Sequence, residues 1–96
     1  MSNTTDFIAE LVRAANEVHS LTQFERRRLL QRAVITIREL REQVGLPSNH
    51  ASADALIELQ TTAVAIASRS DEQVKCALLT AADMIRTLRI LLNMGR

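Results

Sequence analysis

The sequence predicts an all-α fold, a four-helix up-down bundle built from two pseudo-repeated helical hairpins. Three observations carry that reading. Ala, Leu, Arg, Glu and Gln dominate the composition, and only two Gly and one Pro interrupt it, which suits helices rather than strands and turns. Apolar residues recur at helical spacing along four segments. One pattern, I-R-x-L-R, occurs as IRELR at 37–41 and as IRTLR at 85–89, 48 positions apart in a chain of 96 residues.

The first helix is expected from about Thr5 to His19, with Phe7, Leu11, Ala15 and Val18 on one face at 100° per residue. A short SLT connection follows. Thr22 and Glu25 have the spacing of a capping box, in which the hydroxyl accepts from a free backbone N–H and the carboxylate reaches back. The second helix is expected over Gln23–Val44, with Leu30, Ala33, Ile37, Leu40 and Val44 in its stripe. Gly45 offers a left-handed terminator, and Pro47 blocks resumption.

GLPSNHAS (45–52) reads as the only real linker. Ser52 is a plausible N-cap for a third helix over about Ala53–Ala67, striped by Leu56, Leu59, Ala63 and Ile66. A second short connection, SRS, leads to Ser70 and Gln73, a second capping box 48 residues after the first. The fourth helix is expected from Asp71 to about Asn93, striped by Leu78, Ala81, Ile85, Leu88 and Leu92, with Gly95 beyond. Connections this short lead to the expectation that helices one and two, and three and four, are antiparallel neighbours.

Sliding the chain along itself by 48 aligns eleven identical residues, among them Glu10/Glu58, Leu11/Leu59, Ala15/Ala63, Leu30/Leu78 and Ile37/Ile85. Roughly four would arise by chance in so Ala- and Leu-rich a chain. Apolar periodicity inflates such matches, but periodicity does not place capping boxes in register. The expected organisation is therefore one helical domain, 1–96, containing hairpin repeats 1–48 and 49–96. Its core would hold Leu11, Ala15, Leu30, Ile37, Leu59, Ala63, Leu78 and Ile85.

The halves differ in their outer faces. The first hairpin has Asp6, Glu10, Arg13 and Glu17, then Arg28, Arg32, Arg38, Glu39 and Glu42, several at helical neighbour spacing. That is the pattern of a solvated surface. The second hairpin has no charge between Glu58 and Arg69, and it adds Ile57, Val64, Leu79, Met84, Ile90, Leu91 and Met94 off its main stripes. At the matching places the first hairpin has Ala9, Asn16, Gln31, Thr36, Glu42, Gln43 and Leu46. A helix apolar on two faces is buried on two faces, so those seven residues are the expected interface of a homodimer through helices three and four.

Chemistry-bearing groups are sparse. Twelve basic and eleven acidic residues leave a net charge of +1, too weak a field to point to a polyanionic partner. Arg27, Arg28 and Arg32 would be the phosphate contacts of a nucleic-acid-binding protein. Arg28 and Arg32 point outward while Arg26 falls near the apolar stripe, so the arginine run splays around its helix, and Glu25, Glu39 and Glu42 dilute the same surface. His19 is expected at a helix end and His50 in the linker, and neither has companions for a metal or phosphotransfer site. Cys76 is a lone cysteine beside Lys75, without a positioned base. Asp83, set among Leu79, Met84, Thr87 and Ile90, needs a partner if buried, and Arg86 reaching across a two-fold is the nearest candidate.

No paired acid and base, glycine-rich phosphate loop or Glu-x-x-His pair is present, which argues against an enzyme, a cofactor or a bound metal. The expected function is that of a small dimeric helical adaptor or regulator acting through protein–protein contact, with nucleic-acid binding as the alternative. The lone cysteine fits a reducing compartment. MSNTTDFIAEL lacks the basic segment and apolar run of a signal peptide, and no apolar stretch approaches a bilayer span. A cytoplasmic protein is expected, and its size and composition suggest a bacterial one.

Overall fold

A computed structural model describes residues 3–45 and 50–94. Four α-helices and no strand occur among them: α1 (Asn3–Asn16), α2 (Gln23–Val44), α3 (His50–Val64) and α4 (Asp71–Met94). No helix is long and apolar enough to cross a membrane among these residues.

The first and third helices stop earlier than the sequence suggests, and for the same reason. The backbone leaves the α conformation at Glu17 (φ −119°, ψ 29°) and at Ala65 (φ −97°, ψ 29°). Three residues of 3-10 helix follow each break, Val18–Ser20 and Ile66–Ser68. The tighter turn uses up carbonyls that a helix end leaves free. Ser20 and Ser68 add side-chain donors to the Glu17 and Ala65 carbonyls. No Gly or Pro marks either break.

Both capping boxes form. Glu25 N–H donates to Thr22 Oγ1 at 3.1 Å, and Thr22 N–H donates to Glu25 Oε1 at 2.9 Å. Gln73 N–H donates to Ser70 Oγ at 3.2 Å, and Ser70 N–H donates to Gln73 Oε1 at 2.9 Å. Gly45 ends α2 in the left-handed region at φ 77°, with its N–H bonded to the Arg41 carbonyl. At the start of α3 the expectation is corrected: the helix begins at His50, which leaves Ser52 inside its first turn. Ser48, Asn49 and Ser52 are all N-capping residue types, and residue type does not choose among caps so close together. Leu46–Asn49 and Gly95 lie outside the described residues.

Core burial follows the four stripes. Leu11, Leu30, Ile37, Leu59, Ile66, Leu78 and Ile85 are fully enclosed, with Ala15, Ala33, Ala63 and Ala81 between them. The small residues let helix axes approach while Leu and Ile fill the spaces around them.

Helices joined by the short turns are not the ones that pack most closely. The main contacts of α1 are with α4, those of α3 are with α2, and α2 and α4 pack on each other in the middle. Arg89, near the end of α4, donates to Thr5 at the start of α1. Arg27, near the start of α2, donates to the Ala63 carbonyl at the end of α3. Each short helix thus lies against a long helix from the other half of the chain. The Cα envelope is a slab of 40 × 30 × 16 Å, and its thickness suits two packed helices.

Charge favours this choice for α1 and α2. Between α1 and α2 stand Glu10, Arg13, Glu17, Arg28 and Arg32, which would have to be stripped of water for the two helices to close up. Each helix instead turns its apolar face to the opposite half.

Candidate interaction surfaces

Two open grooves run between helices that follow one another in the chain. One, of about 610 Å³, runs between α1 and α2 and is lined by Leu21, Phe24 and Leu29 among Glu10, Arg13, Glu17, Glu25, Arg28 and Arg32. The other, of about 570 Å³, runs between α3 and α4. Its lining is milder: Ile57, Leu59 and Ala77, then Thr61, Thr62, Thr80, Gln73 and Cys76, with Glu58, Glu72 and Arg69. Most lining positions of one groove recur in the other 48 residues away, so the two differ by side chain rather than by shape.

Six of the seven residues singled out as a dimer interface are exposed: Ile57, Val64, Leu79, Ile90, Leu91 and Met94. Val64 and Met94 retain about four fifths of their accessible surface, at 79% and 76%. Met84 differs, being half-buried and packed on the edge of the core. At 100° per residue it lies on the flank of the buried stripe, beside Leu91 and well away from Leu79 and Ile90.

On α4 the outward side carries Cys76, Leu79, Thr80, Asp83, Arg86, Thr87, Ile90, Leu91 and Met94, all exposed. Among the described residues Asp83 and Arg86 have neither a hydrogen bond nor an ion pair.

The first hairpin also exposes apolar residues, which its charge pattern conceals. Phe24 is 66% exposed, and Val12 and Ile35 are also open to solvent. Phe24 lines the α1–α2 groove with Leu21 and Leu29, while single exposed apolar residues such as Val12 and Ile35 are ordinary on a protein surface. Their positions on the helix wheel were the available signal.

The arginine triplet divides in space. Arg27 Nε donates to the Ala63 carbonyl at 3.3 Å. Arg32 reaches Glu10 Oε2 at 3.4 Å, and its guanidinium lies 4.5 Å from the Phe7 ring centroid. Arg28 projects into the α1–α2 groove. Two of the three are therefore occupied within the chain.

Arg26 was not singled out and is the most enclosed cation of that run, with its side chain 12% exposed. Its guanidinium pairs with Asp71 Oδ1 at 3.0 Å and donates to the Val18 carbonyl at 2.7 Å. It ties the turn after α1 and the starts of α2 and α4 together. Its proximity to the apolar stripe was visible in the sequence, but its partners were not.

His19 is exposed in the middle of the 3-10 turn Val18–Ser20, and Cys76 is exposed in the α3–α4 groove. No cluster of three or more metal-ligating side chains occurs among the described residues. The chain matches no protein-family model, no curated relative and no solved structure. The surfaces themselves must carry the functional reading.

Proposed function

We propose that this protein is a small two-fold homodimer, joined through α3 and α4, that acts by binding another protein. One observation carries the reading: Ile57, Val64, Leu79, Ile90, Leu91 and Met94 face outward from the second half. The matching places among the described residues of the first half, Ala9, Asn16, Gln31, Glu42 and Gln43, are exposed too. Four of those five are polar. Equal exposure with unequal polarity is what a covered face and a wetted face of one scaffold have.

The two halves, 1–48 and 49–96, are on this reading two copies of one hairpin. The capping boxes, the 3-10 turns and both grooves recur at the same spacing. Nine of the ten buried apolar or polar residues of the second half have a partly or fully buried counterpart in the first that is uncharged; Val74, opposite Arg26, is the departure. With one half's outer face covered in the dimer, the charged α1–α2 groove with Phe24 remains available to a partner protein.

Sedimentation and light scattering test the assembly. At micromolar concentration the expected mass is twice 10.7 kDa. A monodisperse species of one chain sinks the proposal. For the partner class, retention of DNA that falls steeply with salt would favour a nucleic-acid ligand held by Arg27, Arg28 and Arg32. Retention of a protein at high salt supports a protein ligand instead.

A further inference from the structure

The outward face of α4 is complementary to itself in one register. Leu79, Asp83, Arg86 and Ile90 fall within about 60° of arc at 100° per residue, and all four are exposed. Asp83 and Arg86 are unpaired among the described residues, so both charges are available to a neighbour.

When two identical helices meet antiparallel across a two-fold axis, each residue opposes the one whose number completes a fixed sum. Setting Asp83 against Arg86 fixes that sum. The same sum sets Leu79 against Ile90 and Cys76 against Asn93. One register therefore pairs both charges and both large apolar side chains, and symmetry makes each pairing twice. A parallel arrangement in register would set Asp83 against Asp83 and Arg86 against Arg86. The matching face of α2 has no such property: the same rule there opposes Ile35 to Arg38 and Gln31 to Glu42.

We propose that the occupant of this face is a second copy of the chain, docked antiparallel along α4. Asp83 and Arg86 pair across the centre, and Leu79–Ile90 contacts flank them. This rests on the homodimer reading above and adds to it the arrangement of the two helices.

The test uses Asp83→Arg and Arg86→Asp as two separate full-length variants. Each alone opposes like charges twice, and its dimer dissociation constant should rise at least about tenfold at low salt. Mixed in equal amounts, the two variants form a heterodimer in which every opposed pair is complementary, and affinity returns to the wild-type range. Single variants that dimerise as wild type does, or that do not recover on mixing, overturn the register while leaving the homodimer standing. A wild-type chain that stays monomeric overturns both.

A second measurement does not depend on charge. In a Cys76→Ser background, mild oxidation of mixed Leu79→Cys and Ile90→Cys chains should link them as a heterodimer. Leu79→Cys chains alone should stay unlinked. Rapid self-linking of Leu79→Cys contradicts the antiparallel arrangement.

Discussion

Arg26 and Val74 stand 48 residues apart at corresponding helix positions and have different roles. Val74 is fully buried, so the position is a core position in one half and a tether in the other. The Arg26 stem packs where an apolar side chain would, while its head reaches the Val18 carbonyl and Asp71. These contacts differ in worth. Asp71 is half exposed, and a pair with one partner in water contributes little. The bond to Val18 and the packing of the stem are shielded. Arg26→Ala should therefore destabilise the fold by about 2 kcal/mol, whereas Asp71→Asn should cost less than about 1 kcal/mol. Urea denaturation followed by circular dichroism measures both, and equal losses would contradict this division. Arg26 Nε has no partner among the described residues, which fits a side chain positioned by its stem and two of its nitrogens.

At the scale of the element, local chemistry marks helix starts better than helix ends. Thr22 with Glu25 and Ser70 with Gln73 fix the starts of α2 and α4, because a capping box needs only residues near one another in sequence. Thr22→Ala and Ser70→Ala should each lower stability by about 1 kcal/mol, readable as falls in the thermal midpoint. Gly45→Ala should cost a similar amount, about 1 kcal/mol. Nothing lies within 4 Å of an added Cβ there, so the cost comes from the backbone at φ 77° alone. The breaks at Glu17 and Ala65 were illegible, since neither residue is a helix breaker and the chain ahead remains apolar. The start of α3 was misplaced because several capping residues stand in a row.

For the whole molecule, the stripes specified which residues are buried, and all eight residues expected in the core are enclosed. They did not specify which helix buries which. Short connections point to α1 on α2 and α3 on α4, yet each packs mainly across the halves. Loop length limits where a helix begins but does not decide where its apolar face turns; charge between α1 and α2 opposes their closure, and the milder α3–α4 groove stays open as well. The exposed apolar face was legible as far as polarity can show it. Ile57, Val64, Leu79, Ile90, Leu91 and Met94 stand outward, whereas Met84 belongs to the edge of the core. If the dimer forms through that surface, Ile90→Asp should yield a single-chain mass by light scattering. Gln31→Asp, at the matching place in the first half, should leave the mass unchanged. Loss of association in both variants would remove the asymmetry on which the proposed interface depends.

The crossed packing of the halves bears on what the linker is for. Since α1 leans on α4 and α3 on α2, a hairpin taken alone would leave its stripe facing water. Proteolytic nicking between residues 46 and 49 should then produce two fragments that migrate together and melt as one unit. Each piece would complete the other, and the cut would cost mainly the high effective concentration that a short tether provides. Refolding of the nicked protein should become dependent on concentration, while the intact chain refolds at a rate independent of it.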